Sequence, residues 1–399
     1  MRRVAVLCAV GWLSAAPAVG QTVDNLPPVN GIRLGPVYLE PAFTLKDFGV
    51  DSNVFNEEVD PQQDWTATVN PRVDATLIAG RARFTVANTT DFVYFQTFRT
   101  EQHVNSRTRG RVELFLNRFR PWIEGEFVDT SERRGSDIDA RARRTLPALR
   151  AGAEVVVGSR LTLALGFQRQ EVNWQPGETF RGVELRQQLD KTAETATVAV
   201  RLELTPFTTF VLRAEQHEDR FSFSPERDSD SYRVLPGFEF APDALLGGQV
   251  FVGYRAFRPL SPLIPEYRGV VFAVDVSTTV LGRTKIKLEL DRDVDYSFEL
   301  TEPYYVSTSG VVEVTQQLFG PMELVFRGGR ERLAYRSIEG FGPARRLDTV
   351  NLVGGGIGYR LGQTVRLGLD AEVIDRRSTT KTYRRYDRTR IYARVTYGL

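Results

Sequence analysis

From Val37 onward the chain alternates apolar and polar residues in segments of roughly 10–14 residues, the period of two that sends successive side chains to opposite faces of a β-strand. Val365, Leu367, Leu369, Ala371 and Val373 alternate with Arg366, Gly368, Asp370 and Glu372. Ile286, Leu288 and Leu290 oppose Lys285, Lys287, Glu289 and Asp291, and Val198, Val200, Leu202 and Leu204 oppose Arg201 and Glu203. One face of each strand is aliphatic and the other charged. A single such strand fits a soluble core as well as a membrane wall, so the connections have to decide.

Short connections recur at 79–80 (AG), 118–121 (RFRP), 158–159 (GS), 205–206 (TP), 242–245 (PDAL), 281–282 (LG), 319–321 (FGP) and 361–363 (LGQ). Each holds Gly or Pro, the residues of tight turns. Between them lie longer polar stretches at 49–63, 99–107, 129–144, 173–187, 221–230, 258–266, 298–303, 336–346 and 376–387. Strict alternation of short and long connections is the pattern of an outer-membrane barrel, with short periplasmic turns and longer extracellular loops. The reading is therefore all-β: a transmembrane up-and-down antiparallel β-barrel of about 16–18 strands. A propeller would carry periodic aromatic motifs, a sandwich would need Greek-key connections, and a β-helix would have shorter, near-identical rungs.

If the aliphatic faces meet lipid, the charged faces line the lumen, because charge is costly at the lipid midplane and harmless in water. The candidate lumen-lining residues are Arg201, Glu203, Arg213, Glu215, Lys285, Lys287, Glu289, Asp291, Glu313, Arg327, Arg366, Asp370, Glu372 and Arg394. Their mixed sign suits polar solutes or hydroxyl-rich chains more than a single-sign ion filter. A lumen this wide is water-filled unless something enters it, and the loops 129–144 and 173–187 are the longest that could fold inward.

Composition agrees with this picture. The 399 residues are 42% hydrophobic and 26% charged, and mean hydropathy is −0.26, as expected where apolar and polar residues alternate. After the N-terminus no apolar run is long enough for a transmembrane helix. The start, MRRVAVLCAVGWLSAAPAVGQ, has basic Arg2 and Arg3, a short apolar core and small residues before Gln21, which reads as a Sec signal peptide over 1–20 cleaved after Gly20. Residues 21–35 read as a short periplasmic lead-in and 36–399 as the barrel. The single cysteine, Cys8, lies in the signal, so the exported chain needs no disulfide and has no thiolate metal site. Without Arg2 and Arg3, Lys plus Arg falls from 52 to 50, equal to the 50 Asp plus Glu, which speaks against nucleic acid as a partner.

The segment GIRLGPVYLEPAFTLKDFGVDSNVFN, residues 31–56, resembles the entry strand of a family of β-barrel porins, the beta-barrel porin 2 type, from bacteria that export capsule or exopolysaccharide. The resemblance is carried by Gly35-Pro36, Pro41 and the loop motif Asp51, Ser52, Asn53, Val54 and Phe55. It implies an outer-membrane barrel with a role in polysaccharide export, completing a route for a periplasmic exporter. Outer-membrane lipid and the barrel-assembly machinery would be its other partners. Read physically, Asp51, Ser52 and Asn53 are turn formers whose short side chains bond nearby backbone. The last strand, RIYARVTYGL, is similar to the C-terminal assembly signal of such barrels but ends in Leu399, with its aromatic, Tyr397, two positions earlier.

Chemistry of other classes finds little purchase. His103 and His217 lie near acids (Glu101; Glu215, Glu218 and Asp219), but nothing marks a nucleophile beside them. Two separated histidines supply no transition-metal spacing, and PERDSDSYR at 225–233 lacks the fixed Gly and terminal Glu of an EF-hand loop. VGGGIGY at 353–359 precedes a strand and misses the dinucleotide-loop spacing. Residues 21–35 are too few for the plug of a TonB-dependent transporter. No cofactor is expected. The expected function is a pore or conduit for polar solutes, with polysaccharide export as its specific form. A structural or assembly barrel without an open lumen is the alternative, and a rim-located hydrolase a distant third.

Overall fold

The computed structural model describes residues 31–242, 244–341 and 346–398. The expected signal peptide and most of the lead-in therefore lie outside the described residues. The chain forms one antiparallel sheet in which each long strand pairs with the next and the last returns to the first. The strands are β1 (Val37–Asp51), β2 (Asp64–Ala79), β3 (Ala82–Phe95), β4 (His103–Leu114), β5 (Phe119–Thr130) and β6 (Arg144–Val156). They continue as β7 (Leu161–Trp174), β8 (Lys191–Thr205), β9 (Thr208–Phe221), β10 (Ser229–Phe240), β11 (Leu246–Pro259) and β12 (Tyr267–Val280). The last six are β13 (Thr284–Tyr296), β14 (Tyr304–Gln317), β15 (Met322–Arg336), β16 (Leu347–Leu361), β17 (Val365–Ser378) and β18 (Tyr386–Tyr397). The upper end of the expected range, 18 strands, is the observed one.

The short connections lie where the sequence puts them, with one shift. Leu116 and Phe119 form a bridge around the turn after β4, so Phe119 and Pro121 belong to β5 and the turn precedes RFRP. At Leu281-Gly282 both residues have positive φ (52° and 66°), the two-residue turn whose twist matches antiparallel strands. Part of the expected lead-in is also paired: Ile32–Leu34 folds back on Val37–Leu39 around Gly35.

Alternation along the strands becomes two surfaces. On β17, Leu367, Leu369 and Val373 are exposed outward, whereas Glu372 and Ile374 are buried inward. The outer surface is an apolar band that includes Phe84, Leu165, Val198, Val252, Phe326 and Ile357, the side a bilayer would cover.

Closure runs through β1 and β18. Leu45 pairs with Val395 and Phe48 with Ala393, with a bulge that carries Asp47 at φ 55°. Asp47 pairs with Arg390, and Asp51 with Arg388. At Gly49 a Cβ would fall 2.0 Å from the Ile391 carbonyl oxygen, so only glycine permits this approach of the closing strands.

Candidate functional site: the inward strap and the lumen wall

The connection from β5 to β6, residues 131–143, does not stand out into solvent. Ser136, Asp137 and Ile138 are buried, and their partners lie on strands more than a hundred residues away. Arg134 pairs with Asp295 of β13 at 2.6 Å. The Ser136 hydroxyl donates to Glu331 of β15, and the Ser136 carbonyl accepts from Arg376 of β17 and from Arg384. The Asp137 carboxylate accepts three bonds: from Tyr335 Oη at 2.6 Å, from the Phe298 N–H at 3.2 Å and from Ser297 Oγ at 3.4 Å. The segment is a strap tied to the β13–β17 wall.

Its other attachment is the motif loop after β1. Arg133 and Arg141 both donate to the Val54 carbonyl, at 2.5 and 3.2 Å, and Asn56 donates to Asp139 at 2.6 Å. Arg141 also pairs with Glu101 at 2.9 Å and lies over the Phe95 ring. Asn53 folds the loop from within: its side chain donates to the Glu57 carbonyl, and its own N–H bonds Asp51. It also reaches the Asp387 carbonyl at 3.0 Å, while Ser52 exchanges bonds with Thr389. Phe55 meets Phe98 edge to face. The turn-former reading of Asp51, Ser52 and Asn53 describes these bonds, but the loop does more than turn. It joins the closing strand to the strap.

The connection from β7 to β8 lies beside the strap. A two-rung hairpin (Thr179–Phe180 with Val183–Glu184) and a one-turn helix, Leu185–Leu189, bring Phe180 against Phe298 at 4.9 Å. Arg384 lies over both rings, and Arg181 lies over Tyr383.

Beneath the strap is a cavity of about 270 Å³. Its lining mixes Lys191, Arg213 and Arg255 with Glu215, Asp219 and Asp293, beside Leu235 and Phe251. The charges are matched: Arg233 bonds Glu215 at 2.8 Å and Asp293 at 2.6 Å, Arg255 bonds Asp293 at 2.6 Å, and Lys191 bonds Asp219 at 2.7 Å. A second network stands at the outer ends of β14–β17. Arg346, fully buried, pairs with Glu302 and Asp348 at 2.7 Å each and stacks on Tyr335 at 3.7 Å. Burial would lower the pKa of this guanidinium, but Tyr335, Asp348 and Glu302 beside it outweigh that and hold it above its ordinary value.

The sequence-derived lumen candidates all sit on inward-alternating positions of their strands. The fold brings many of them into pairs. Arg201 meets Glu239, Lys287 meets Glu289, and Arg327 bonds Glu313 at 2.7 Å. Arg366 bonds Glu323 at 2.5 Å, Glu372 takes Arg390 at 3.1 Å, and Arg213 sits 4.0 Å from Glu215. Lys285 is also partnered. Glu203, Asp291, Asp370 and Arg394 form no ion pair with a described residue.

The residues missed by that list lie on the opposite wall. Arg107, Arg109 and Arg111 alternate on the inward face of β4, in the same rows as Arg72 of β2, across Thr89, and Arg150 of β6, across Glu124. Arg107 keeps 58% of its side chain exposed and Arg72 45%, against 9% for Arg255 across the barrel. Arg109 is exposed and has no partner among the described residues. The signal was available in RTRGR, residues 107–111, where arginine recurs at every second position.

The two histidines serve the wall. His103 Nδ1 lies 2.6 Å from the Glu101 carbonyl, and His217 is held between Thr195 and Glu215. Among the described residues no group of His, Cys, Asp and Glu is arranged to hold a metal ion.

A closed 18-strand antiparallel barrel with an apolar outer band and a charged inner wall defines a porin-like outer-membrane β-barrel. The chain belongs to the family described as "Putative beta-barrel porin 2", whose model matches residues 27–398. No curated protein matches it. Among solved structures it is similar to OccAB3 of Acinetobacter baumannii (12% identity, TM-score 0.49, covering 90% of this chain and 99% of that one). It is also similar to OpdK of Pseudomonas aeruginosa (10%, 0.49, 90% and 98%) and to a BenF-like porin from Pseudomonas fluorescens Pf-5 (10%, 0.48, 90% and 99%).

Proposed function

We propose that this barrel is an outer-membrane channel for small polar solutes, with a preference for anionic ones, and that the strap narrows it. The observation that carries the reading is the asymmetry of the inner wall. Most charges on the β8–β17 side are buried in pairs, whereas on the β2–β6 side Arg109 is exposed with no partner among the described residues, and Arg72 and Arg107 stay exposed although they meet Asp74 and Glu126. An exposed arginine ladder keeps its charge in water and raises the local concentration of anions, while a paired network presents little net field. Planar-bilayer recording of the refolded protein tests this. A steady conductance with reversal potentials favouring chloride over potassium supports it. Silence from a barrel that is folded by heat-modifiable gel mobility, or cation selectivity, sinks it, and silence would favour the structural barrel.

Polysaccharide export is the narrower form of the same reading, and its support is the family resemblance of residues 31–56. A polymer would need the strap displaced, since the strap is tied at both ends. Deleting the gene and measuring secreted polysaccharide decides it, and unchanged secretion removes the export role. Delivery to the outer membrane would follow from cleavage after Gly20, which N-terminal sequencing of the mature protein checks.

A further inference from the structure

The outer rim of the barrel is charged on its outward side, and most of that charge is balanced locally. Arg143 pairs with Asp129, Arg169 with Glu194, Arg220 with Asp230, Arg268 with Glu266, and Arg377 with Asp375 and Asp387. One sector departs from this. On β15, Arg330, Arg332 and Arg336 point outward, alternating with the buried Glu331, Leu333 and Tyr335. All three are exposed, and none of their side chains has a hydrogen bond or ion pair with a described residue. The strand register extends the sector sideways: Arg292, Thr308, Arg332, Thr349 and Arg377 follow one another on β13 to β17 in a single row.

A second observation lies on the same outward face. An apolar groove of about 630 Å³ runs below the arginines, lined by Leu324, Phe326, Gly355, Ile357, Leu369 and Ile391. Its floor is low because Gly355 has no side chain, and Phe326 pairs with Gly355 across the register. Phe326 precedes Arg330 by four residues, so groove and arginines are roughly 13 Å apart along the strand. Cations above and a long apolar groove below match an anionic head on an acyl chain, not a soluble anion.

We infer that the outward face of β13–β18 docks a phosphorylated, acylated glycolipid of the outer leaflet. Arg330, Arg332 and Arg336, spread over roughly 20 Å of strand, hold its phosphates, and an acyl chain lies in the groove beneath. Guanidinium and phosphate make paired charge-assisted hydrogen bonds, and burial in a bilayer strengthens them. The hydroxyls of Thr308 and Thr349, in the arginine row, add donors for the sugar oxygens. The inference does not depend on what passes through the lumen.

Native mass spectrometry of the full chain in detergent, titrated with diphosphoryl lipid A, tests the assignment. Wild-type protein should retain lipid A, and the triple variant Arg330→Gln, Arg332→Gln, Arg336→Gln should bind it about tenfold or more weakly. Arg169→Gln, from a balanced sector, should bind as wild type. Dephosphorylated lipid A and phosphatidylglycerol should each bind wild type at least about tenfold more weakly than the diphosphoryl form. Equal binding by the triple variant, or equal affinity for phosphatidylglycerol, overturns the proposal. The lipid comparison on wild-type protein decides the matter even if the triple variant fails to assemble.

Discussion

Removing one carboxylate should unlatch the strap. Asp137 is 2% exposed and accepts bonds from Tyr335 Oη, the Phe298 N–H and Ser297 Oγ. Asp137→Ala deletes all three acceptor contacts and leaves the buried Tyr335 hydroxyl and Phe298 amide without partners. A hydrogen bond to a charged group is worth about 1.5–3 kcal/mol, and an orphaned buried donor costs about 1–3 kcal/mol. The contacts are partly redundant with those of Ser136 and Arg134, so a local loss of roughly 3–5 kcal/mol is the reasonable scale. At about 1.4 kcal/mol per decade, that lowers the ratio of seated to released strap by roughly two to four orders of magnitude. Single-channel recording should then show a larger mean conductance with frequent transitions, where the wild type is steady. Asp137→Asn, which keeps an acceptor oxygen, should fall between the two. If folded Asp137→Ala barrels conduct as wild type does, the strap does not narrow the path and the reasoning fails.

Three further outcomes follow from named contacts. Asp51→Ala leaves Arg388 buried and unpaired at the closing strands, so urea should unfold the barrel with about 3–5 kcal/mol less stability, read by loss of the heat-modifiable band. Gly49→Val puts a side chain where even a Cβ would fall 2.0 Å from the Ile391 carbonyl, and the folded, fast-migrating form should not accumulate in refolding gels. Replacing Arg107, Arg109 and Arg111 together by Gln should move the bilayer reversal potential toward cation preference while leaving the heat-modifiable band in place. An unmoved potential would remove the arginine ladder from the selectivity argument.

The wall was legible because its determinants are local. A strand with lipid on one face must declare in its own residues which side that is, and Val365 to Val373 do so at every second position. Turns such as Leu281-Gly282 declare themselves through the backbone conformations they need. The strap is another matter. DTSERRGSDIDARARR, residues 129–144, looks like a solvated loop, since Arg and Asp are as common in water as in buried pairs. Its inward course depends on partners such as Tyr335, Arg376 and Arg384, more than 190 residues away, and no local period encodes them. The motif Asp51 to Phe55 was visible as a motif, but its bond to the strap runs through the Val54 carbonyl, which every residue possesses.

The division of the inner wall follows from the cost of burying charge. An ionised side chain withdrawn from water must be matched at close range or it destabilises the fold by several kcal/mol. Once the strap covers the β13–β17 wall, an arginine beneath it needs a close acceptor: Arg346 has Glu302 and Asp348, Arg376 has Asp348, and Arg384 has the Ser136 and Asp137 carbonyls. Less of that demand falls on β2–β6, where water reaches Arg72 and Arg107 beside Asp74 and Glu126, and where Arg109 stands without a partner among the described residues. The strap thus separates a wall whose charge is largely matched from one that keeps exposed arginine. In the proposed channel, selectivity therefore belongs on the side the strap leaves open. Substitutions among the paired residues should register first as lost stability or altered gating, and only afterwards as changed ion preference.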